Sequence, residues 1–369
     1  MSIILFIIIL AILILAHEFG HFIVAKKSGI RVDEFGIGFP PKLYGKKFGE
    51  TEYTINAIPF GGFVKIFGED PNSESMTGPE SSRSFVNQPK IIQIAVLCAG
   101  VFFNLLLAWI LITSSLLIGS AFSSTSPHPN GQWVEKPVLT IVEVVKDSPA
   151  DKAGIRAGDT ITSFSNAFKQ DSVKNATPEI FQSFIADYPK EPISISIERG
   201  NKAQRVAVIP KEGIVSGRPA IGIAMDMVGT MKLPLHLAIY EGGKLTLLYT
   251  KETFKGIFGL ISASFQGKAD MAQVSGPVGI VKIVGEASHL GFDRLLALTA
   301  IISINLAVVN ILPIPALDGG RVFFVLIETV KRSPIKPKFA NTVNAIGFFV
   351  LLALILIVTF SDVWKLFAG

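Results

Sequence analysis

Apolar residues fall into four blocks along the chain, with polar, turn-rich sequence between them. Ile3 to Ala16 is an unbroken apolar run, and apolar residues resume after His21, so the first block reaches Ala25. The others run from Ile91 to Phe122, Leu295 to Val330 and about Val343 to Leu366. Each is long enough for a helix to cross a hydrocarbon layer of roughly 30 Å. No basic residue precedes the first block and no small-residue cleavage site follows it, so it reads as a retained span and not a leader.

The pattern therefore predicts a multi-span α-helical membrane protein with four transmembrane helices. Composition agrees: 49% of the 369 residues are hydrophobic and 17% charged, with a mean hydropathy of +0.51. The net charge of +5 comes from dispersed basic residues without interleaved aromatics, which argues against nucleic acid as a partner. The single cysteine, Cys98, excludes an internal disulfide and a cysteine-based zinc site.

Lysine and arginine crowd the loop after the first span (Lys26, Lys27, Arg31, Lys42, Lys46, Lys47) and the loop before the fourth (Lys331, Arg332, Lys336, Lys338). The positive-inside rule places both loops in the cytoplasm, and the termini and the long polar region outside. The expected division is a first span over residues 1–25, a cytoplasmic-side loop with a membrane-associated β-sheet over 26–90, and a second span over 91–122. An extracytoplasmic α+β domain follows over 123–228, then an interfacial amphipathic segment over 229–292. A third span over 293–330, broken near a ligand residue, a cytoplasmic loop over 331–342 and a fourth span over 343–369 complete the chain.

The outer region alternates strand-like runs (VLTIVEVV, ISISIERG, QRVAVIP) with turns and one helical stretch, PEIFQSFIADY. Within it, DSPADKAGIRAGDTI and the later RPAIGIAMD resemble elements of PDZ domains of bacterial proteases, the second being the apolar-Gly-apolar strand that receives a peptide end. That resemblance implies a circularly permuted PDZ domain with Ile221, Gly222 and Ile223 at the docking strand. A non-binding spacer of the same fold is the alternative. The segment LHLAIYEGGKLTLLYTKETFKGIFGLISASF is amphipathic, with Lys244, Lys251 and Lys255 near one face. It is expected either at the outer membrane surface or packed on the outer domain.

The first span carries HEFGH in its second half. On a helix, residues four apart share a face, so His17 and His21 can offer two imidazoles to one metal ion while Glu18 reaches a bound water. Ionisable groups at membrane depth cost several kcal/mol unless partnered and are functional by default, which favours a metal site over a chance pattern. His17 lies about 21 Å along the helix from Ile3, which puts the pair in the cytoplasmic half. A catalytic zinc normally takes three protein ligands. Asp318, in NILPIPALDGGRVFF, is the only carboxylate between Arg294 and Glu328. The third block would span about 54 Å as a straight helix, so it must bend or unwind, and Pro313 and Pro315 locate the break. Irregular backbone at membrane depth is tolerated where it is buried or lines a wet cavity, so Asp318 is expected beside the histidines.

HEFGH, NILPIPALDGG and the inserted PDZ-like region, in this order, resemble the site-2 protease family of intramembrane zinc metalloproteases, closest to the bacterial regulator of sigma-E protease type. The resemblance implies that His17, His21 and Asp318 hold one zinc ion, that Glu18 is catalytic and that Asn310 contacts the substrate or its oxyanion. It identifies EFGIGFPPKL, with Gly36 and Gly38, and YTINAIPFGGFVKI, with Ile58, Phe60, Gly61 and Gly62, as a small membrane-dipping sheet whose edge holds an unwound substrate. SGPVGI, residues 275–280, matches a further family element, a candidate substrate guide. The implied substrates are single-span membrane proteins such as anti-sigma factors or signal peptide remnants, shortened first by a site-1-type protease. The implied location is the bacterial inner membrane, in contact with lipid.

Two features depart from the family pattern. Ala99, Gly100 and Val101 precede Asn104 where members often have Ala-Gly-Pro, and the chain has room for one PDZ domain where many relatives carry two. Two other functions compete with a protease: a membrane metal transporter and a non-catalytic PDZ scaffold. Glu18 has no use in a carrier, and no inverted repeat is evident. Zinc-dependent cleavage of a single-span substrate separates the protease from both.

Overall fold

The computed structural model describes residues 2–70, 73–124, 128, 130–168, 173–174, 177–200, 202–215, 218–267 and 276–368. Helix α1 (Ser2–Lys27) is followed by two long strands, β1 (Val32–Phe48) and β2 (Thr51–Ile66), a short helix α2 (Ser73–Thr77) and the long α3 (Lys90–Ile118). Then come β3 (Ser120–Ser123), β4 (Gln132–Val144), α4 (Pro149–Lys152), β5 (Thr160–Ser165), β6 (Val173–Lys174) and α5 (Pro178–Asp187). Five more strands follow: β7 (Ile193–Arg199), β8 (Lys202–Val208), β9 (Lys211–Val215), β10 (Arg218–Ala220) and β11 (Ile223–Lys232). The chain closes with α6 (Leu235–Phe265), α7 (Pro277–Leu290), α8 (Phe292–Ile311), α9 (Asp318–Lys331) and α10 (Pro337–Ala368). Among the described residues, four helices are long and apolar enough to cross a membrane: α1, α3, α8 and most of α10. Away from water every backbone N–H and C=O must be paired within the segment, which makes helices of the apolar blocks.

The chain forms two compact units. One comprises Met1–Thr113, Ile239–Ser288 and Leu295–Gly369, the other Ser114–Ala238 and His289–Arg294. In the first, the buried residues of α1 are Ile9, Leu13, His17, Gly20, His21, Phe22 and Ala25. Their spacing of three and four defines one face, while Ile3, Ile4, Ile8 and Ile12 stay exposed, as suits contact with lipid. Strands β1 and β2 fold back on themselves. Residues 51–56 pair with 42–48 on one side and 34–37 on the other, and 34–37 pair in turn with 62–65. The result is a four-pass antiparallel sheet with residues 58–66 at one edge. At the polar end of α1, Glu50 bonds Lys26 at 2.9 Å and Arg83 at 2.7 Å, and these cations hold its carboxyl below the usual range.

Helix α6 packs on this same unit. Trp109 donates its indole N–H to the Ile239 carbonyl at 2.9 Å, Gly242 lies against Thr113, and Thr253 bonds Asn305 at 3.1 Å. Small residues at 242 and 243 let its backbone approach α3, a contact that amphipathic spacing alone does not reveal. The buried Asp362 of α10 accepts the N–H of Gly279 at 2.8 Å, fixing the first turn of α7 within the SGPVGI stretch, whose Ser275 lies outside the described residues.

The second unit is a sheet in the order β3-β11-β4-β5-β7-β8, with β6 beside β5 and a separate β9-β10 hairpin. Alternation along β7 buries Ile193, Ile195 and Ile197 against Phe164, Phe181 and Phe184. The second span was expected to reach Phe122, but α3 ends at Ile118 and Gly119 turns at φ +130°. Residues 120–123 form β3 because β11 offers them a ladder from Val228 to Met231. For the same reason this unit extends past residue 228 to Lys232.

Candidate metal centre

His17 and His21 lie one turn apart on the buried face of α1, at 7% and 6% exposure. Helix α8 ends at Ile311, where a helix cannot continue through Pro313 and Pro315. The chain crosses residues 312–317 without helix, Ala316 takes φ +75°, and α9 starts at Asp318. This brings the Asp318 carboxylate to the histidines. Its Oδ2 is 2.9 Å from His17 Nε2 and 3.4 Å from His21 Nε2, and the two Nε2 atoms are 3.2 Å apart. The three donor groups lie within 4.8 Å of one another. Two imidazoles and one carboxylate on a shared point are the donor set of catalytic zinc, so these residues fit that ion.

A cavity of about 230 Å³ opens on the cluster, lined among others by Glu18, Asn310, Ala316 and Asp318. Asn310 points its amide at His17 Nε2 from 3.4 Å. Glu18 accepts the backbone N–H of Val64 at 3.1 Å. Val64 belongs to the edge pass 58–66, which runs beside α1: a Cβ placed on Gly61, at φ +101°, would press on Ile14 at 2.8 Å. Gly36, Gly38, Ile58, Phe60, Gly61 and Gly62 all lie in this sheet, Gly36 and Gly38 in β1 and the others at the edge pass. Ile221, Gly222 and Ile223 lie in the second unit. There the Ile221 side chain is 1% exposed in the core, and its carbonyl and that of Gly222 accept the N–H groups of Ala150 and Val145 at 2.9 Å. The core position of Ile221 leaves Ile223 as the apolar side chain of the three that lines the groove beside α5 without being fully buried.

Sequence reading overlooked the contribution of α3. His21 Nδ1 bonds the Val96 carbonyl at 2.8 Å, and Asn104 lies 3.3 Å from His17 Nδ1. Between them Gly100 has no room for a side chain: a Cβ there would come within 2.5 Å of His21 Nε2 and 2.7 Å of His17 Nε2. The family pattern before Asn104 and the four-residue step from Gly100 to Asn104, equal to that from His17 to His21, are the signals that pointed to it. A backbone carbonyl leaves none.

Peptidase family M50 matches residues 5–354. A candidate zinc metalloprotease of Clostridium perfringens is 38% identical over 351 residues, covering 95% of each chain. Zinc metalloprotease RasP of Geobacillus kaustophilus is 31% identical over 439 residues, 99% of this chain and 98% of its own. The solved PDZ domain of an SdrC-like protein of Listeria innocua covers 24% of this chain and 92% of that one, at 24% identity and a TM-score of 0.21. With the family matched over nearly its whole length and relatives covered end to end, the chain belongs to Peptidase family M50, the site-2 proteases, and is an intramembrane zinc metalloprotease.

Proposed function

We propose that His17, His21 and Asp318 hold the zinc ion and that Glu18 is the general acid and base for cutting a peptide bond within or beside a substrate's membrane helix. The observation that carries this is the convergence of three ligand atoms within 4.8 Å, with Glu18 lining the same cavity. Zinc, when bound, supplies a Lewis acid that acidifies water and polarises the scissile carbonyl. Glu18 takes one proton from the attacking water and passes it to the leaving nitrogen, so that a C–O bond forms as the C–N bond breaks. The Val64 N–H orients its carboxylate. Asn310 offers an amide N–H to the carbonyl oxygen as charge develops there. A helical peptide bond is shielded by its own turn, so the substrate must unwind, and the edge pass 58–66 with Gly61 and Gly62 supplies replacement backbone bonds.

Substrates under this reading are single-span proteins, anti-sigma factors or signal peptide remnants, already shortened outside by another protease. The second unit is read as a PDZ domain that filters them. Strand β11 pairs with β4 along its length and with β3 only from Val228 to Met231, so residues 223–226 keep an open side among the described residues. That side faces a groove of about 270 Å³ lined by Gln182, Ile185, Arg218 and Ile223, sized for a peptide end. By the positive-inside rule this unit and both termini are extracytoplasmic and the sheet dips into the membrane from the cytoplasmic side. The test is cleavage of a model single-span substrate by purified protein in detergent. Cleavage should cease on chelation and return with zinc; cleavage that persists without metal would sink the reading.

A further inference from the structure

The fourth span touches its unit at few places. Among the described residues only 6% of its apolar window is buried, against 22–39% in the other three spans. Its buried positions are Gly347, Val358 and Asp362, and with Asn344 they fall on one face of α10. Both ends of this stripe meet backbone. At one end Val358 and Asp362 lie against Gly276, and Asp362 accepts the Gly279 N–H. At the other, Asn344 and Gly347 meet the break between α8 and α9. Asn344 Oδ1 accepts the Ala316 N–H at 3.3 Å, and a Cβ placed on Gly347 would come within 2.5 Å of the Pro315 carbonyl oxygen.

The break needs such support. Pro313 and Pro315 remove two N–H groups from it, and Ala316 sits at φ +75°, a left-handed setting that costs any residue with a Cβ and persists only where its surroundings enforce it. The other N–H groups of the break are used inside the segment: Ile314 donates to Leu312 and Leu317 to Ile314, at 2.7 and 3.2 Å. The Ala316 N–H instead leaves the segment for α10. A backbone N–H can only donate, so the group facing it is the amide oxygen of Asn344. Ala316, Leu317 and Asp318 line the cavity together with Glu18. A change of φ at Ala316 to the ordinary negative range would redirect the chain and carry Asp318 with it.

We propose that Asn344 is a positioning residue for the protease reaction: from the fourth span it holds Ala316 in its left-handed turn, while Gly347 admits Pro315 against the helix, and together they set where Asp318 stands. The consequence for zinc rests on reading Asp318 as a ligand. The hold on the turn does not.

The test is amide hydrogen exchange over residues 312–317 of the full chain in detergent, read by mass spectrometry, beside zinc affinity by chelator competition and kcat on a model single-span substrate. Asn344→Leu and Asn344→Ala should speed exchange of this segment, weaken zinc and lower kcat, each roughly 2- to 10-fold, the worth of one ordinary hydrogen bond. Asn344→Asp, still an acceptor, should restore slow exchange. Ala316→Gly, which takes a positive φ without strain, should return zinc affinity and kcat to the Asn344→Leu enzyme although the bond stays lost. A residue that merely stabilised the span would not be rescued in this way. Gly347→Ala should reproduce the losses by pressing on Pro315. Asp362→Leu loosens the far end of α10 and should leave exchange over 312–317 and zinc affinity as in wild type. Unchanged exchange in the folded Asn344 variants overturns the proposal, as does failure of Ala316→Gly to rescue, or equal losses in Asp362→Leu. If neither Asn344→Leu nor Asn344→Ala folds, exchange in Gly347→Ala decides. Asp318→Asn is the control for the ligand reading: if it binds zinc as tightly as wild type, that reading fails, whatever exchange shows for Asn344.

Discussion

At the residue scale the proposed chemistry divides between neighbours on one helix turn. Glu18→Gln keeps the size and the Val64 contact but cannot accept a proton. Zinc content by elemental analysis should stay at one per chain while cleavage falls roughly 10²- to 10⁴-fold; activity near wild type would remove Glu18 from its role. Asp318→Asn leaves a neutral oxygen where a carboxylate now sits between two imidazoles. It should weaken zinc by more than the roughly 100-fold ceiling of outer-shell changes and abolish cleavage. Full zinc occupancy in that variant would place the third ligand elsewhere. Gly100→Ala offers a sharper contrast. Alanine is the better helix former by about 1 kcal/mol, yet its Cβ would crowd both Nε2 atoms. Zinc titration should show lost affinity with the metal-free helix content unchanged.

At the element scale, the edge pass of β2 and helix α1 meet at the Val64 N–H, which serves Glu18 and not the ladder. Proline is tolerated on an edge strand where the missing N–H faces away from the sheet. Val64→Pro should therefore leave the sheet and zinc content intact and lower kcat roughly 2- to 10-fold, the worth of one hydrogen bond of about 0.5–1.5 kcal/mol. An unchanged kcat in a folded variant would mean that the strand does not orient Glu18. The broken third block shows the same coupling of element to site. Two prolines stop α8, Asp318 opens α9, and Arg321 one turn on pairs with Glu69 beyond the end of β2.

At the scale of the molecule, all the residues proposed for chemistry lie in the helical unit, and the second unit has a core of its own between Leu139 and Ile221. Its two ends meet: the Ser124 N–H bonds the Met227 carbonyl at 2.8 Å where β3 pairs with β11. Replacing residues 125–226 by a short Gly-Ser join therefore keeps the β3-β11 ladder. If the unit filters substrates, the shortened enzyme should cut an already trimmed substrate as before and a full-length one faster, both followed by gel with the two enzymes side by side. An enzyme that folds and binds zinc but cuts neither substrate would make the unit part of catalysis, and unchanged selectivity would end the filter idea.

The amino-acid sequence by itself determined the four apolar helices and the residues worth bringing together, because hydropathy, four-residue spacing and proline breaks act over a few residues; the zinc metalloprotease came from the family resemblance that its motifs carry. His17, His21 and Asp318 were legible in this way, since ionisable groups stand out in an apolar run. Tertiary structure decided what surrounds them. The Val96 carbonyl reaches across 75 residues, Asn104 across 87 and the Val64 N–H across 46. Two of these three are backbone groups, identical in every residue, so no side-chain pattern could announce them. The end of α3 at Ile118 is of the same kind, for it is set by a strand partner more than a hundred residues later, and only the folded chain holds the two together.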